Sequence, residues 1–335
     1  MKKLLLLEPV RKKGNHQFFM DWFARAWQAC GGGIKRRRPL PWPALLAVAR
    51  LKLSANLPPL SSRRNALLVP GAGYPDSFAW PHAYTHEIIP MLWDVWPRYW
   101  PRLISSLKRH RVRTFLCTSS QVCEHVRKEL PRIRTVHVPE GIDPAGHPPG
   151  KGAGYRPGKD LRERPVDILE LGRQMPFFHR AAVRACREHP EWVHLFPATE
   201  GPLLFPDFRS LCEGLASAKI TVSYPRCDTH PAMAGEVETL TQRYWECMLS
   251  RTLPAGRAPQ ELVNLLGYNP VVEISERNTH EQITNLLTNI SSYQDLVDKN
   301  YRAACEHAPW EARIASLLPQ LERLGYRIGT PSPSA

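Results

Sequence analysis

No stretch of the 335 residues approaches the roughly 18 apolar residues that a membrane-crossing helix needs. The opening Met1-Lys-Lys-Leu-Leu-Leu-Leu-Glu8 reaches a charge after four leucines, and no small-residue cleavage site follows. It reads as a buried first strand rather than a signal peptide. None of the eight cysteines (30, 117, 123, 186, 212, 227, 247 and 305) forms a Cys-x-x-Cys pair. Zinc-finger and disulfide frameworks are therefore disfavoured, and reduced thiols in a cytosolic protein are expected. The thirteen histidines never take the spacing His-Glu-x-x-His, and no Asp-x-Asp triplet offers a metal a pair of carboxylates. Helix-turn-helix and RNP-like patterns are missing too, which argues against nucleic acid as a partner.

Acidic residues are scarce in one half only. Residues 1–160 hold 27 Lys and Arg against 10 Asp and Glu, a net of +17, while the remainder holds 18 against 21, a net of −3. The two sum to the overall +14. The first half therefore calls for an acidic partner: a membrane surface, nucleic acid or an acidic glycan. An apolar share of 43% is ordinary for a globular protein, and the length suits two domains.

The richest stretch runs from Gly235 to Gly256. Thr239 and Thr241 suit a helix start, and Leu240, Tyr244, Cys247 and Met248 fall on one helical face. Glu238 precedes that helix and Glu246 follows eight positions later, about 12 Å along the axis if the interval is helical. Between them the free amides of a helix start favour an anion. A ligand with sugar hydroxyls, a diphosphate and a ribose diol matches this layout. Glu238 would take the sugar, the amides of Thr239, Leu240 and Thr241 the diphosphate, and Glu246 the ribose. Two exposed glutamates on a helix fit the spacing as well.

Glu238-x7-Glu246, followed by the turn Leu253-Pro-Ala-Gly256, resembles the donor signature of retaining GT-B glycosyltransferases of the group 1, family-4 type. The resemblance implies an α/β fold of two Rossmann-like domains facing a cleft, with the donor held by the second. It further implies transfer of a sugar from a nucleotide-sugar, with retention, to a glycan or lipid-linked acceptor. No metal or other cofactor is expected to be essential. Val166-Asp-Ile-Leu-Glu-Leu-Gly-Arg173 resembles the family's strand and Gly-Arg turn, so Arg173 is expected at the diphosphate. The family's following lysine is absent; Met175-Pro-Phe-Phe178 and His179 stand there instead, and Arg226 is a candidate for the missing charge.

Further back, strands are expected at 2–8, 65–70, 88–93, 114–117 and 134–138, and helices at 17–30 and from Ser120 to about Leu130. The loop from Glu8 to His16 sits where open α/β sheets bind ligands. His86 before one strand and Asp94 after it are candidate contacts for donor or acceptor sugar. Thr118-Ser-Ser120 and Pro139-Glu-Gly-Ile-Asp143 stand in the order in which the same family closes its first domain. Residues 1–150 are read as the acceptor domain, 151–164 as a linker and 165–308 as the donor domain. A helix at 309–324 is able to pack back on the first, and the tail from Gly329 is expected to be disordered.

Lys35-Arg-Arg-Arg38 beside Trp42 and the apolar run to Leu53 reads either as an interfacial segment or as a Rossmann helix with a solvated basic flank. The first reading gives a cytoplasmic protein peripheral on an anionic membrane face. An epimerase of the same fold, an inactive scaffold of that fold, and a nucleic-acid binder using the basic half are the rival functions.

Overall fold

Leu4-Leu-Leu-Leu7 behaves as a continuous apolar run does in a parallel sheet: it becomes a strand covered on both faces. The computed structural model describes residues 1–9, 18–36, 65–73, 82–146, 154–172, 174–198 and 203–329. These divide into two units, the first formed by 1–139, 233–237 and 310–335, the second by 140–232 and 238–309.

Unit 1 begins with β1 (Lys2–Leu7), α1 (Phe18–Ala29), β2 (Ile34–Lys35), β3 (Asn65–Ala72) and β4 (His86–Trp93). It continues through α2 (Trp100–Arg109), β5 (Thr114–Cys117), α3 (Ser120–Glu129) and β6 (Arg134–His137). Ser119 caps α3, its hydroxyl accepting from the amide of Val122, as the Thr-Ser-Ser pattern anticipates. Residues 10–17 and 37–54 lie outside the described residues, and with them most of the candidate ligand loop and of the candidate interfacial segment. The first two residues of that segment, Ile34 and Lys35, are spoken for: they pair with Leu6 and Leu7 of β1.

Unit 2 holds β7 (Val166–Leu169), α4 (Pro176–Glu188), β8 (His194–Leu195), α5 (Phe208–Ser217), β9 (Ala218–Ser223), α6 (Arg226–Thr229), α7 (Pro231–Ala234), α8 (Gln242–Leu249), β10 (Leu253–Gly256), α9 (Gln260–Leu266), β11 (Val272–Glu273), α10 (Thr279–Thr288) and α11 (Gln294–His307), with Pro231–Ala234 spanning the change of unit. The sheet is parallel, in the order β11-β10-β9-β7-β8. Pro176 occupies the first turn of α4, where its missing N–H costs nothing, so the helix starts one turn before its apolar periodicity shows. Asp207 and Ser210 form a capping box on α5. Phe178, Ala182 and Ala185 of α4 pack on Ile168 and Ile220 of the sheet. Within 154–164, Leu161 and Tyr155 are buried, and the amide of Gly158 donates to Ser250.

The chain then returns to unit 1 with α12 (Trp310–Arg323) and β12 (Tyr326–Ile328). Its sheet is parallel in the order β12-β1-β3-β4-β5-β6, with β2 also on β1. Trp310 meets Phe23 and Trp93 edge-on, with ring centroids 5.2 and 5.8 Å apart, so α12 shares the aromatic core of α1 and β4. At the other end, the Tyr326 hydroxyl donates to Glu87 Oε1 at 2.7 Å, and Lys2 also reaches that carboxylate. Burial works against the charged Glu87, but Lys2 and Tyr326 outweigh it and hold the carboxyl below its ordinary range.

Candidate functional site

In a parallel sheet every strand points its carboxyl end to the same edge, and the loops leaving that edge are where ligands bind. In unit 2 the edge is marked by Ser223 at the end of β9 and Gly256 at the end of β10, which are paired with each other. Gly256 has φ +143°, and a Cβ there would lie 2.2 Å from the Ser223 carbonyl oxygen, so only glycine fits. The chain leaves it with Arg257, whose amide donates to Ser223 O and whose carbonyl accepts from the Tyr244 hydroxyl at 2.6 Å. The backbone of Arg257 is thus fixed on both sides.

Its guanidinium is fixed too. Nε and Nη2 hold the two carboxylate oxygens of Asp228 at 2.6 and 2.7 Å, and Nη1 forms an ion pair with Glu238. Hydrogen bonding to Asp228 raises the Arg257 pKa above its ordinary value, and Glu238 adds to the effect. Glu238 Oε2 also accepts the amide of Gln260, the first residue of α9, at 3.0 Å. Nearby Cys227 is no thiolate, because burial and then the Asp228 charge push it up to about 11.

This cluster borders a cavity of about 520 Å³, within the range of small-ligand pockets. Phe177 and Tyr224 supply its apolar wall, and Asp228, Arg257, Glu273, Ser275 and Glu276 its polar groups. The arrangement places one cation and three carboxylates beside aromatic faces, so its acceptors suit sugar hydroxyls and Arg257 is, among the described residues, its one group for an anion.

The two glutamates of the x7 spacing have different surroundings. Thr241 is the N-cap of α8 with extended backbone, so Glu238 lies outside the helix and the 12 Å helical separation does not hold. Glu246 is in the helix and 8% exposed. Its Oε1 accepts from the Tyr155 hydroxyl at 3.0 Å, and its Oε2 lies 2.7 Å from Arg243 Nη1 one turn earlier. Between the glutamates, Leu240 has its amide already donated to Glu261 at 3.0 Å, so a diphosphate at that amide must displace a carboxylate. The side chain of Thr241 makes no cap hydrogen bond. Arg226 opens α6 next to Cys227 and Asp228. Arg173 lies outside the described residues.

In unit 1, His86 and Asp94 do not come together. His86 is the first residue of β4 and Asp94 follows its last, so eight residues of extended chain, about 26 Å, separate them. Asp94 is at the carboxyl edge with φ +53°, an uncommon backbone state for a residue other than glycine. His86 is at the opposite edge, its Nδ1 2.7 Å from the Thr85 hydroxyl. Burial, then Lys35 and His82, lower its pKa to about 4, so it is neutral at physiological pH.

Sequence reasoning passed over Arg257, Asp228, Tyr155, Arg243 and Glu261. Arg257, directly after the small-residue turn at Gly256, and Arg243, one helical turn before Glu246, had local signals; the others meet the site only through the fold.

No family model and no curated protein matches the chain. Solved structures do. The sucrose-phosphate synthase of Thermosynechococcus elongatus matches with a TM-score of 0.58 at 12% identity, covering 97% of this chain and 99% of that one. HepE of Anabaena, solved with UDP and glucose, matches with a TM-score of 0.57 at 10% identity, covering 96% and 100%. Against the pneumococcal O-GlcNAc transferase GtfA the score is 0.44 at 12% identity, covering 77% of this chain and 57% of that one. Two parallel α/β units and two matches over nearly the whole chain establish that this protein has the two-domain Rossmann-like fold of the GT-B glycosyltransferases.

Proposed function

We propose that this protein is a glycosyltransferase that takes a sugar from a nucleotide-sugar held in unit 2. The observation that carries the reading is Arg257, clamped between Asp228 and Glu238 at the rim of the 520 Å³ cavity. A donor brings a diphosphate whose charge grows as the glycosidic bond breaks. Arg257 is a fixed cation placed to stabilise that charge, with Arg173, Arg226 and the amides at Thr239 to Thr241 as its helpers. Glu238, already an acceptor of two hydrogen bonds, would exchange them for sugar hydroxyls and orient the anomeric carbon. Glu246 would take the ribose diol, held for that purpose by Tyr155 and Arg243. These cations do the electrostatic work of transfer in this reading, so no metal takes part in it.

The match to HepE, solved with UDP and glucose, supports a uridine nucleotide as the first donor to try. Retention rests on the family signature at Glu238 and Glu246. The acceptor side is assigned to unit 1, with Asp94 at the carboxyl edge of its sheet, and a glycan or lipid-linked acceptor suits its charge. Within it Lys108, Arg111, Arg113, Arg132 and Arg134 line one groove with Glu129, which supports docking to an anionic cytoplasmic membrane face. No helix among the described residues is long and apolar enough to cross a membrane.

A thermal-shift screen of nucleoside diphosphates and their sugars tests the donor reading, since a bound ligand stabilises by mass action. One nucleotide class should raise the melting temperature in wild type and lose most of that effect in Arg257→Ala. Absence of any shift across uridine, guanosine, adenosine and thymidine diphosphates would overturn it.

A further inference from the structure

Unit 2 contains a second cluster that the donor site does not use. The register of the sheet sets Ile168 beside His194, and alternation along β7 puts Glu170 on the same face as Ile168. Helix α4 packs on that face and brings His179 over the same spot. The result is that His179 Nδ1 and His194 Nε2 both lie 2.8 Å from one oxygen, Glu170 Oε1. Phe196 closes the cluster from one side, its ring 4.8 and 4.7 Å from the two imidazole centres.

Glu170 is 1% exposed, and its other oxygen, Oε2, is buried with no hydrogen-bond partner among the described residues. A carboxylate taken out of water needs a cation and a partner for each oxygen. A metal ion engages both nitrogens and the carboxylate together.

We propose that Glu170, His179 and His194 bind one divalent transition-metal ion, with zinc the best match. Two imidazoles and a carboxylate are a donor set that zinc favours, whereas magnesium and calcium want oxygen alone. The three ligand atoms already lie within 4.8 Å of one another. A tetrahedral zinc with bonds near 2.05 Å needs them about 3.3 Å apart, so each nitrogen has only about half an ångström to move from the carboxylate oxygen. His179, with a quarter of its side chain exposed, gives the ion its way in and leaves a fourth position for water. The ion joins three elements: the loop after β7, the first turns of α4 and the two-residue edge strand β8. It is a staple for the start of α4, which carries Met175 and Phe177 of the donor cavity, and it takes no part in sugar transfer.

The test is independent of any glycosyltransferase activity. Full-length protein, made without a histidine tag in zinc-supplemented medium and dialysed against metal-free buffer, is measured by mass spectrometry for bound metal. About one zinc per chain is expected in wild type, and less than about a tenth of that in His179→Ala and His194→Ala. Zinc added to chelator-stripped wild type should raise its melting temperature and leave both variants unmoved. Cobalt substitution should give wild type the visible bands of a tetrahedral site. Should both variants misfold, titration of stripped wild type with zinc or cobalt alone decides. Wild type that binds neither ion, or variants that retain the metal, would overturn the proposal and leave the two imidazoles as plain hydrogen-bond partners of Glu170.

Discussion

The Tyr155 hydroxyl donates to Glu246 Oε1 at 3.0 Å in the interior of unit 2. Burial first, and then the Glu246 charge, raise the tyrosine well above its ordinary pKa, so the bond has a fixed donor and a fixed acceptor. If Glu246 takes the ribose diol, Glu246→Ala should weaken nucleoside diphosphate binding by about 1.5–3 kcal/mol, or roughly 10- to 150-fold in Kd. Tyr155→Phe keeps the ring, so it should cost about 1 kcal/mol of stability and leave affinity nearly unchanged. Calorimetric titration of both variants checks this. An unaltered Kd in folded Glu246→Ala would reduce the carboxylate to a packing role.

Arg257 is a stricter case. Arg257→Lys keeps a charge but cannot grip Asp228 with two nitrogens and reach Glu238 as well. Its kcat/KM is expected to fall by about 10- to 100-fold, and that of Arg257→Ala further, with small changes in melting temperature because the guanidinium is about a third exposed. Glu238→Ala should spare the binding of free nucleotide and lower turnover. Initial rates with the nucleotide-sugar found in the screen separate the three variants.

His86 gives stability a pH dependence. Its pKa falls from 6.5 in the unfolded chain to about 4 in the fold, so the unfolded state binds the extra proton between those values. Its contribution is complete above pH 6.5 and is lost as the pH drops toward 4. The difference amounts to roughly 3 kcal/mol at most. Urea midpoints at pH 7, 5.5 and 4.5 should fall less steeply for His86→Gln than for wild type. Parallel curves would place the acid sensitivity elsewhere.

The basic half predicts a membrane phenotype. Lys35, Arg36, Arg37 and Arg38 near an anionic surface contribute about 1 kcal/mol each. The Lys35/Arg36/Arg37/Arg38→Ser variant should sediment less with vesicles containing phosphatidylserine than wild type does at low salt. Equal sedimentation would move the contact to another surface, the groove at Lys108 and Arg132 first.

The sequence was most informative where one local rule acts alone. Apolar runs marked β1, β7 and β9, and Thr118-Ser-Ser120 marked a capped helix start. The GT-B architecture was legible in the order of such elements. The site was less so, because its contacts join residues far apart in the chain. Asp228 and Arg257 are 29 positions apart, and Tyr155 and Glu246 are 91 apart. The cluster of Glu170, His179 and His194 draws on a loop, a helix and a strand, so no metal-binding spacing exists to be read. His86 and Asp94 read as sugar contacts on either side of one strand, but β4 runs from His86 to Trp93 and holds them at opposite edges of the sheet.

The pairing of β12 with β1 has a consequence for how the chain matures. Unit 1 is first in order of synthesis, yet its sheet is closed by Tyr326–Ile328 and its aromatic core by Trp310. From Pro139 to Tyr326 the ribosome must add 187 residues, which takes roughly 10–40 s at 5–20 residues per second. Through that interval Lys2, Lys3 and Leu4 have an open edge, while unit 2 emerges nearly whole as one continuous segment. The nascent protein is therefore expected to acquire its second unit before its first, and to depend on chaperones for the half-paired strand β1.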